Sequence, residues 1–366
     1  MGYIHNIYVG ILIFGVTALV LTIPYLAFNY YKYGSIVWNR AFLVYAFIFY
    51  AICAYFMVIL PLPSVEDVSN MTGPTMQLMP FSVLFDLFTH SVLRILDPST
   101  YWPALKQGVF TQPIFNLLLT VPFGIFMRYL FNLDYKKTVL CSFLCALFFE
   151  LTQLSGLYGI YPRPYRLFDV DDLMLNTLGG MMGYAIAPLF KVLFISKETM
   201  INTAQSRASH VSILRRFVAL SVDRFIVSVS LSVVFNVNQD VWIALGYLVY
   251  ASCMIMLLNG STIGMRLTNI TFTSDKENLR YQALIRTLMF VVFVLLVPEA
   301  FNQLIIYVNS QEVVDVVMDV SIVLMSLSYL GVLGAHILWE ISTQHNNFFY
   351  ERLSHTSIVS TFDIEA

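Results

Sequence analysis

The chain has 366 residues, of which 58% are hydrophobic, 15% aromatic and 11% charged, less than half the charged share of a soluble domain. Its 30 Phe, 22 Tyr and mean hydropathy of +0.74 exclude an ordinary soluble enzyme and point to repeated lipid-spanning helices. A net charge of -2 supplies no basic field, so nucleic acid is not an expected partner.

A helix crosses about 30 Å of hydrocarbon with roughly 20 apolar residues. Nine such runs follow one another, at 7–29, 41–61, 110–131, 138–156, 171–192, 213–235, 241–258, 282–308 and 317–339. The expected fold is an all-α polytopic membrane helix bundle, because backbone groups facing lipid must be satisfied within their own segment. The first run lacks a charged n-region and ends in Pro24-Tyr-Leu-Ala-Phe, so it reads as a span rather than a signal peptide. Cys53, Cys141, Cys145 and Cys253 lie inside apolar runs and read as packing residues, not as a disulfide or zinc framework.

Between the second and third runs, the long loop 62–109 carries a helical pattern over 81–97, opened by Pro80 and stopped by Pro98. Phe81, Leu84, Phe85, Phe88, Val92, Ile95 and Leu96 share one face of it, and Ser82, Asp86, Thr89, His90 and Arg94 the other. Such a helix either lies in the membrane interface or packs on the bundle as a lid.

An odd number of spans puts the termini on opposite sides. With the N-terminus outside and the C-terminus cytoplasmic, 15 of the 20 Lys and Arg fall inside. Only Arg94, Lys106, Arg163 and Arg166 fall outside, and Arg224 is embedded. Trp102 and Trp242 then mark the outer boundary, and Trp38 and Trp339 the inner one. A polar stretch at 193–212, with Ser196-Lys-Glu-Thr and Asn202-Thr-Ala-Gln-Ser-Arg, reads as a cytoplasmic linker between membrane domains at 1–192 and 213–366. No repeat relates the two halves, so an inverted-repeat transporter has no visible support.

In the first half, ionisable and amide side chains converge within the spans, where they are costly and so become functional candidates. Asn116 lies roughly 9 Å below the outer face, Glu150 about 12 Å below it, and Gln153 one turn nearer the surface. The fifth run opens with Arg166, Asp169 and Asp172. Steps of three and four residues put Asp169, Asp172, Asn176, Gly179 and Gly183 on one helical face. Two arrangements satisfy these residues. In one, Arg166 pairs with the acids, Glu150 caps a buried network and the glycines pack. In the other they form an outward-open polar pocket, favoured because several spans contribute at one depth. Paired acids suit cation binding or acid/base work, but no histidine joins the cluster and no nucleophile or cofactor motif is evident.

These residues resemble the VanZ-like family. The resemblance rests on Asn116 with Pro122 and Gly124, on Glu150-Leu-Thr-Gln153, on Arg166-x-x-Asp169-x-x-Asp172-x-x-x-Asn176-x-x-Gly179-x-x-x-Gly183, and on Gln77-Leu-Met-Pro80-Phe. It covers about residues 40 to 190. It implies a bacterial plasma-membrane protein similar to those that lower susceptibility to teicoplanin-type glycopeptides, with glycopeptide or a cell-envelope precursor as partner beside membrane lipid.

In the second half, Arg216 and Asp223 are two turns apart on one face of the sixth run. Arg286 enters the eighth run to similar depth, so an ion pair of Asp223 with Arg286 or Arg224 is expected. That pair is either structural or part of an ion or substrate path; Pro298-Glu299 is expected to break or kink the eighth run, and Glu299 is a weaker candidate for such a path. This half resembles an RDD domain through Arg216-x6-Asp223, the Gly260/Gly264/Arg266 loop and Arg286, while the tail Tyr350-Glu351-Arg352-Leu-Ser-His355-Thr356 departs from that family's pattern. The expected activity is binding or shielding at the cell surface. The rivals are secondary transport through the Asp223 region and an envelope-modifying enzyme acting through Glu150, Asp169 and Asp172.

Overall fold

The computed structural model describes residues 2–193, 197–236, 239–310, 316–343 and 347–362. Among them, nine helices are long and apolar enough to cross a membrane: Gly10–Tyr33, Trp38–Ile59, Gly108–Tyr129, Tyr135–Leu154, Val170–Phe190, Ile213–Phe235, Asp240–Leu257, Leu279–Val308 and Val320–Thr343. They match the nine expected runs to within a few residues and are called the first to ninth spans below. The molecule is an all-α polytopic bundle. Leu19, Phe42, Val233 and Leu338 are exposed on the spans, as side chains facing lipid are. Trp38, Trp102, Trp242 and Trp339 are exposed as well.

The eighth span shows how the chain absorbs a proline. Pro298 offers no N–H and crowds the preceding turn. Instead of breaking, the helix widens into a π-helical stretch over Val291–Leu296, where the Val297 N–H donates to Val292 O, five residues back.

Two compact units emerge, Met1–Leu19 with Trp38–Lys197, and Val20–Val37 with Glu198–Ala366. In the first, the fifth span approaches its neighbours to backbone contact. A Cβ on Gly179 would lie 2.0 Å from Leu117 O, one on Gly183 2.0 Å from Val121 O, and one on Gly180 2.0 Å from Ser142 Oγ of the fourth span. Gly124 of the third span answers from the other side, its absent Cβ falling 2.0 Å from Gly180 O. The glycine spacing thus sets the interhelical distance.

The expected 81–97 helix is shorter, running only over Ser82–His90. Beyond it, the Val92 N–H donates to Gln107 Oε1 at 2.9 Å and the Arg94 N–H to Thr100 Oγ1 at 2.9 Å, so side chains have captured the donors that a continuing helix would use. Leu84, Phe85 and Phe88 remain exposed. Strand β1 (Met76–Gln77) pairs in parallel with β2 (Phe168–Asp169), setting Gln77 opposite Asp169.

In the second unit the expected polar linker is largely a helix, Lys197–Ala208, with residues 194–196 outside those described. Ala204 is buried with Tyr33 and Val37, and the Ser35 hydroxyl donates to Ala204 O at 2.8 Å. Strand β3 (Ile270–Ser274) pairs antiparallel with β4 (Thr356–Ser360), Ile270 opposite Ser360. The tail is therefore part of this unit's framework, and Ile358 packs on a core of Ala219, Ile255, Met265, Ile270 and Phe272.

Candidate functional site

The seven first-half candidates fall into three hydrogen-bonded groups, Asp169 with Glu150, Asn116 with Asp172 and Asn176, and Gln153 beside Arg166. Asp169 is the N-cap of the fifth helix, its side chain accepting the Asp171 N–H at 2.8 Å. Its own N–H donates to Glu150 Oε2 at 3.0 Å, so the buried Glu150 caps the helix opening from the fourth span. Asn116 of the third span donates to the Asp172 carboxylate. The Asn176 side-chain amide nitrogen donates to Asp172 O at 2.8 Å, and the Asn176 backbone carbonyl accepts the Thr120 hydroxyl at 2.6 Å. The side-chain oxygen of Asn176 is buried and has no hydrogen-bond donor. Gln153 Nε2 donates to Val58 O at 3.1 Å, beside Arg166.

Arg166 corrects one of the two expected arrangements. Rather than pairing with the acids, its guanidinium donates to Val58 O at 2.8 Å and Leu60 O at 3.2 Å, at the end of the second span. The last carbonyls of a helix carry the negative end of its dipole and attract a cation. Among the described residues, Arg166 thus forms no salt bridge with Glu150, Asp169 or Asp172 and holds the end of the second span instead. Burial raises the Asp169 carboxyl above its ordinary value. The Asp171 N–H bond works against this, and the charges of Asp171 and Asp86 add to it.

Asp171 is the residue the helical-face argument passed over. Buried and off the Asp169/Asp172/Asn176 face, it reaches outward to the loop helix. There it accepts the Phe81 N–H at 2.6 Å, the Ser82 hydroxyl at 2.8 Å and the Val83 N–H at 2.8 Å. Phe81 is held at φ 65°, a left-handed conformation costing a bulky residue about 1–3 kcal/mol. Gln77 closes the same turn, its side chain bonding Met79 N, Met79 O and Ser82 Oγ. The Gln77-to-Phe81 motif and the Asp169/Asp172 motif are thus one structural object. Among the described residues, no group of three or more His, Cys, Asp and Glu is arranged to hold a metal ion.

In the second unit the expected Asp223 to Arg286 pair is not formed. Buried Asp223 accepts the Tyr250 hydroxyl at 2.7 Å, the Thr262 hydroxyl at 2.5 Å and the Gly264 N–H at 2.7 Å. Three donors satisfy the carboxylate without a cation. A Cβ at Gly264 would stand 2.1 Å from Ala219 O and 2.9 Å from Asp223 Cγ, so this loop closes on Asp223 only with glycine there. Arg224 lies 3.8 Å from Asp240 instead.

Arg286 and Arg216 share Glu351 of the tail, at 2.8 and 2.9 Å, with Glu351 fully buried. Arg286 stacks 4.4 Å from the Phe272 ring centroid and 5.1 Å from that of Tyr350. Arg215, fully buried, is held by the carbonyls of Thr268, Ala208 and Asn269 at 2.7 to 2.9 Å. Glu340, also fully buried, pairs with Arg352. Glu299 bonds only its own helix in the interactions described, through Gln303 at 2.7 Å and Asn302 at 3.4 Å.

Nine apolar helices define a multi-pass membrane protein. Residues 47–191 match the family model described as VanZ/LLP1, so the N-terminal part of the chain is VanZ-like. The match takes in the Gln77 motif, Asn116, Glu150 and the whole Arg166-to-Gly183 series. No curated protein and no solved structure matches the chain.

Proposed function

We propose that the chain is a bacterial plasma-membrane protein that lowers susceptibility to teicoplanin-type glycopeptides, binding the glycopeptide or shielding an envelope precursor at the outer membrane face. The N-terminus is outside, the C-terminus is cytoplasmic, and membrane lipid surrounds the spans. The binding cluster is Asn116, Glu150, Gln153, Arg166, Asp169, Asp172 and Asn176. The observation that carries this reading is the direct bonding of an acid-rich network to a loop helix with exposed Leu84, Phe85 and Phe88, through Asp171. An acidic network joined to an exposed apolar surface suits a large amphiphile that carries donor groups. The VanZ-like match supports the class of activity. The C-terminal half is an RDD-like accessory module in this reading, and Arg216, Asp223 and Arg286 act there as structural groups.

The test is a glycopeptide susceptibility panel with and without expression. Glu150→Gln, Arg166→Ala and Asp172→Asn should each abolish protection while membrane abundance stays normal. Full protection by all three variants would remove the cluster from the mechanism.

A further inference from the structure

The loop between the second and third spans is fixed at the level where spans begin. Asp171, in the first turn of the fifth span, accepts the Phe81 and Val83 N–H groups at 2.6 and 2.8 Å, and Ala104 to Gln107 lead into the third span at Gly108. Between these fixed ends, the helix Ser82–His90 packs on the third span. At about 100° per residue, exposed Leu84, Phe85 and Phe88 fall within about a third of its circumference. Exposed Asp86 and His90, 3.3 Å apart, fall on the far side. Beyond the helix, Leu96 is 97% exposed, and Ile95 and Trp102 are exposed as well. A cavity of about 350 Å³ in the same loop is lined by Leu93, Ile95, Tyr101, Ala104, Leu105 and Phe110. Its one polar side-chain group, the Tyr101 hydroxyl, donates to Ile95 O at 2.7 Å, so no side chain there is left to hold water.

An apolar surface of this extent marks an interaction site, and its continuity with the third span names the occupant. Phe110 belongs to that span, whose exposed side carries Ile114 and Leu118. Lys106, just before the span, lies 5.2 Å from the Trp102 ring centroid, a cation and an indole paired as they are where a bilayer meets water. We propose that residues 81–105 form an insertion into the adjoining lipid leaflet: Leu84, Phe85, Phe88, Leu96 and the cavity meet the acyl chains, while Asp86 and His90 face water. The loop helix is then an interfacial helix rather than a lid. This does not rest on the glycopeptide reading; under that reading, the amphiphile meets this face within the leaflet.

The test reconstitutes the full chain in phosphatidylcholine vesicles, cysteine-free apart from one spin-labelled cysteine. It compares collision of the label with oxygen, which concentrates in hydrocarbon, and with a water-soluble nickel chelate. The labelled positions are all exposed, so a label there displaces no core contact. The ratio of oxygen to nickel accessibility at Phe88→Cys and Leu96→Cys should stand severalfold above that at Asp86→Cys, and near that at Leu118→Cys on the third span. Ratios at Phe88 and Leu96 equal to that at Asp86 would put the loop in water and overturn the proposal. Labels at Phe88 and Leu96 shielded from both reagents would put protein there, as a lid contact or a second copy of the chain, and would overturn it equally.

Discussion

Asp171 Oδ1 accepts the backbone N–H of Phe81 at 2.6 Å, across 90 positions of sequence. One buried side chain at the mouth of the fifth span thereby sets the start of the loop helix. Asp171→Ala should leave the Phe81 and Val83 N–H groups unpaired, at about 1–3 kcal/mol each. Hydrogen exchange should quicken at these two amides while the spans stay protected. Unchanged protection there would show that the loop helix holds itself in place.

The charge arrangement of the second unit is open to a double-mutant cycle in detergent. Glu351→Gln should cost about 3–5 kcal/mol, since it leaves two buried guanidinium groups without their carboxylate. Arg286→Gln combined with Glu351→Gln should show a coupling of about 0.5–3 kcal/mol, whereas Arg286→Gln combined with Asp223→Asn should be additive within about 0.5 kcal/mol. Strong coupling in the second cycle and none in the first would contradict the partners described here.

Gly183→Ala sets a Cβ 2.0 Å from the backbone oxygen of Val121, which cannot rotate away. The third and fifth spans must separate, and the loss should reach or exceed the roughly 1–3 kcal/mol of ordinary overpacking. Gly331→Ala is the control, because nothing lies within 4 Å of its Cβ position. Its melting temperature should equal or exceed that of the parent, since alanine favours helix. Similar melting temperatures for both variants would mean that the glycine contact does not set the packing.

Membrane orientation follows from the proposed placement of charge. Pro162 and Ser206 are both exposed, so each is reachable by reagent. In a cysteine-free background, a cysteine at Pro162 should react with an impermeant maleimide in whole cells, and one at Ser206 should react only after lysis. The reverse pattern would invert the orientation and move the acid-rich cluster to the cytoplasmic side.

The spans were legible because lipid imposes a length and an apolar composition that few other structures share. The Asp169, Asp172, Asn176, Gly179 and Gly183 face was legible because helical periodicity projects onto sequence. The pairing of Met76–Gln77 with Phe168–Asp169 was not, since two residues per strand leave no periodic signal. The loop helix was read too long because apolar spacing continues past His90, while the bonds that end it come from Gln107 and Thr100, farther along the chain. For Asp223, matched depth suggested a cation. Depth along a span says nothing about azimuth, and Tyr250, Thr262 and Gly264 supplied neutral donors instead. Glu351 escaped because its partners lie 135 and 65 positions away.

That separation has a consequence for biosynthesis. A ribosome adding about 5–20 residues per second leaves Arg216 and Arg286 without their counter-ion for several seconds after each is made. Throughout that interval the sixth and eighth spans hold guanidinium groups whose carboxylate does not yet exist. The C-terminal unit therefore cannot reach its final charge balance during insertion. Its charge balance closes only when Glu351 docks, so tail docking is the last step in assembling this cluster of charges.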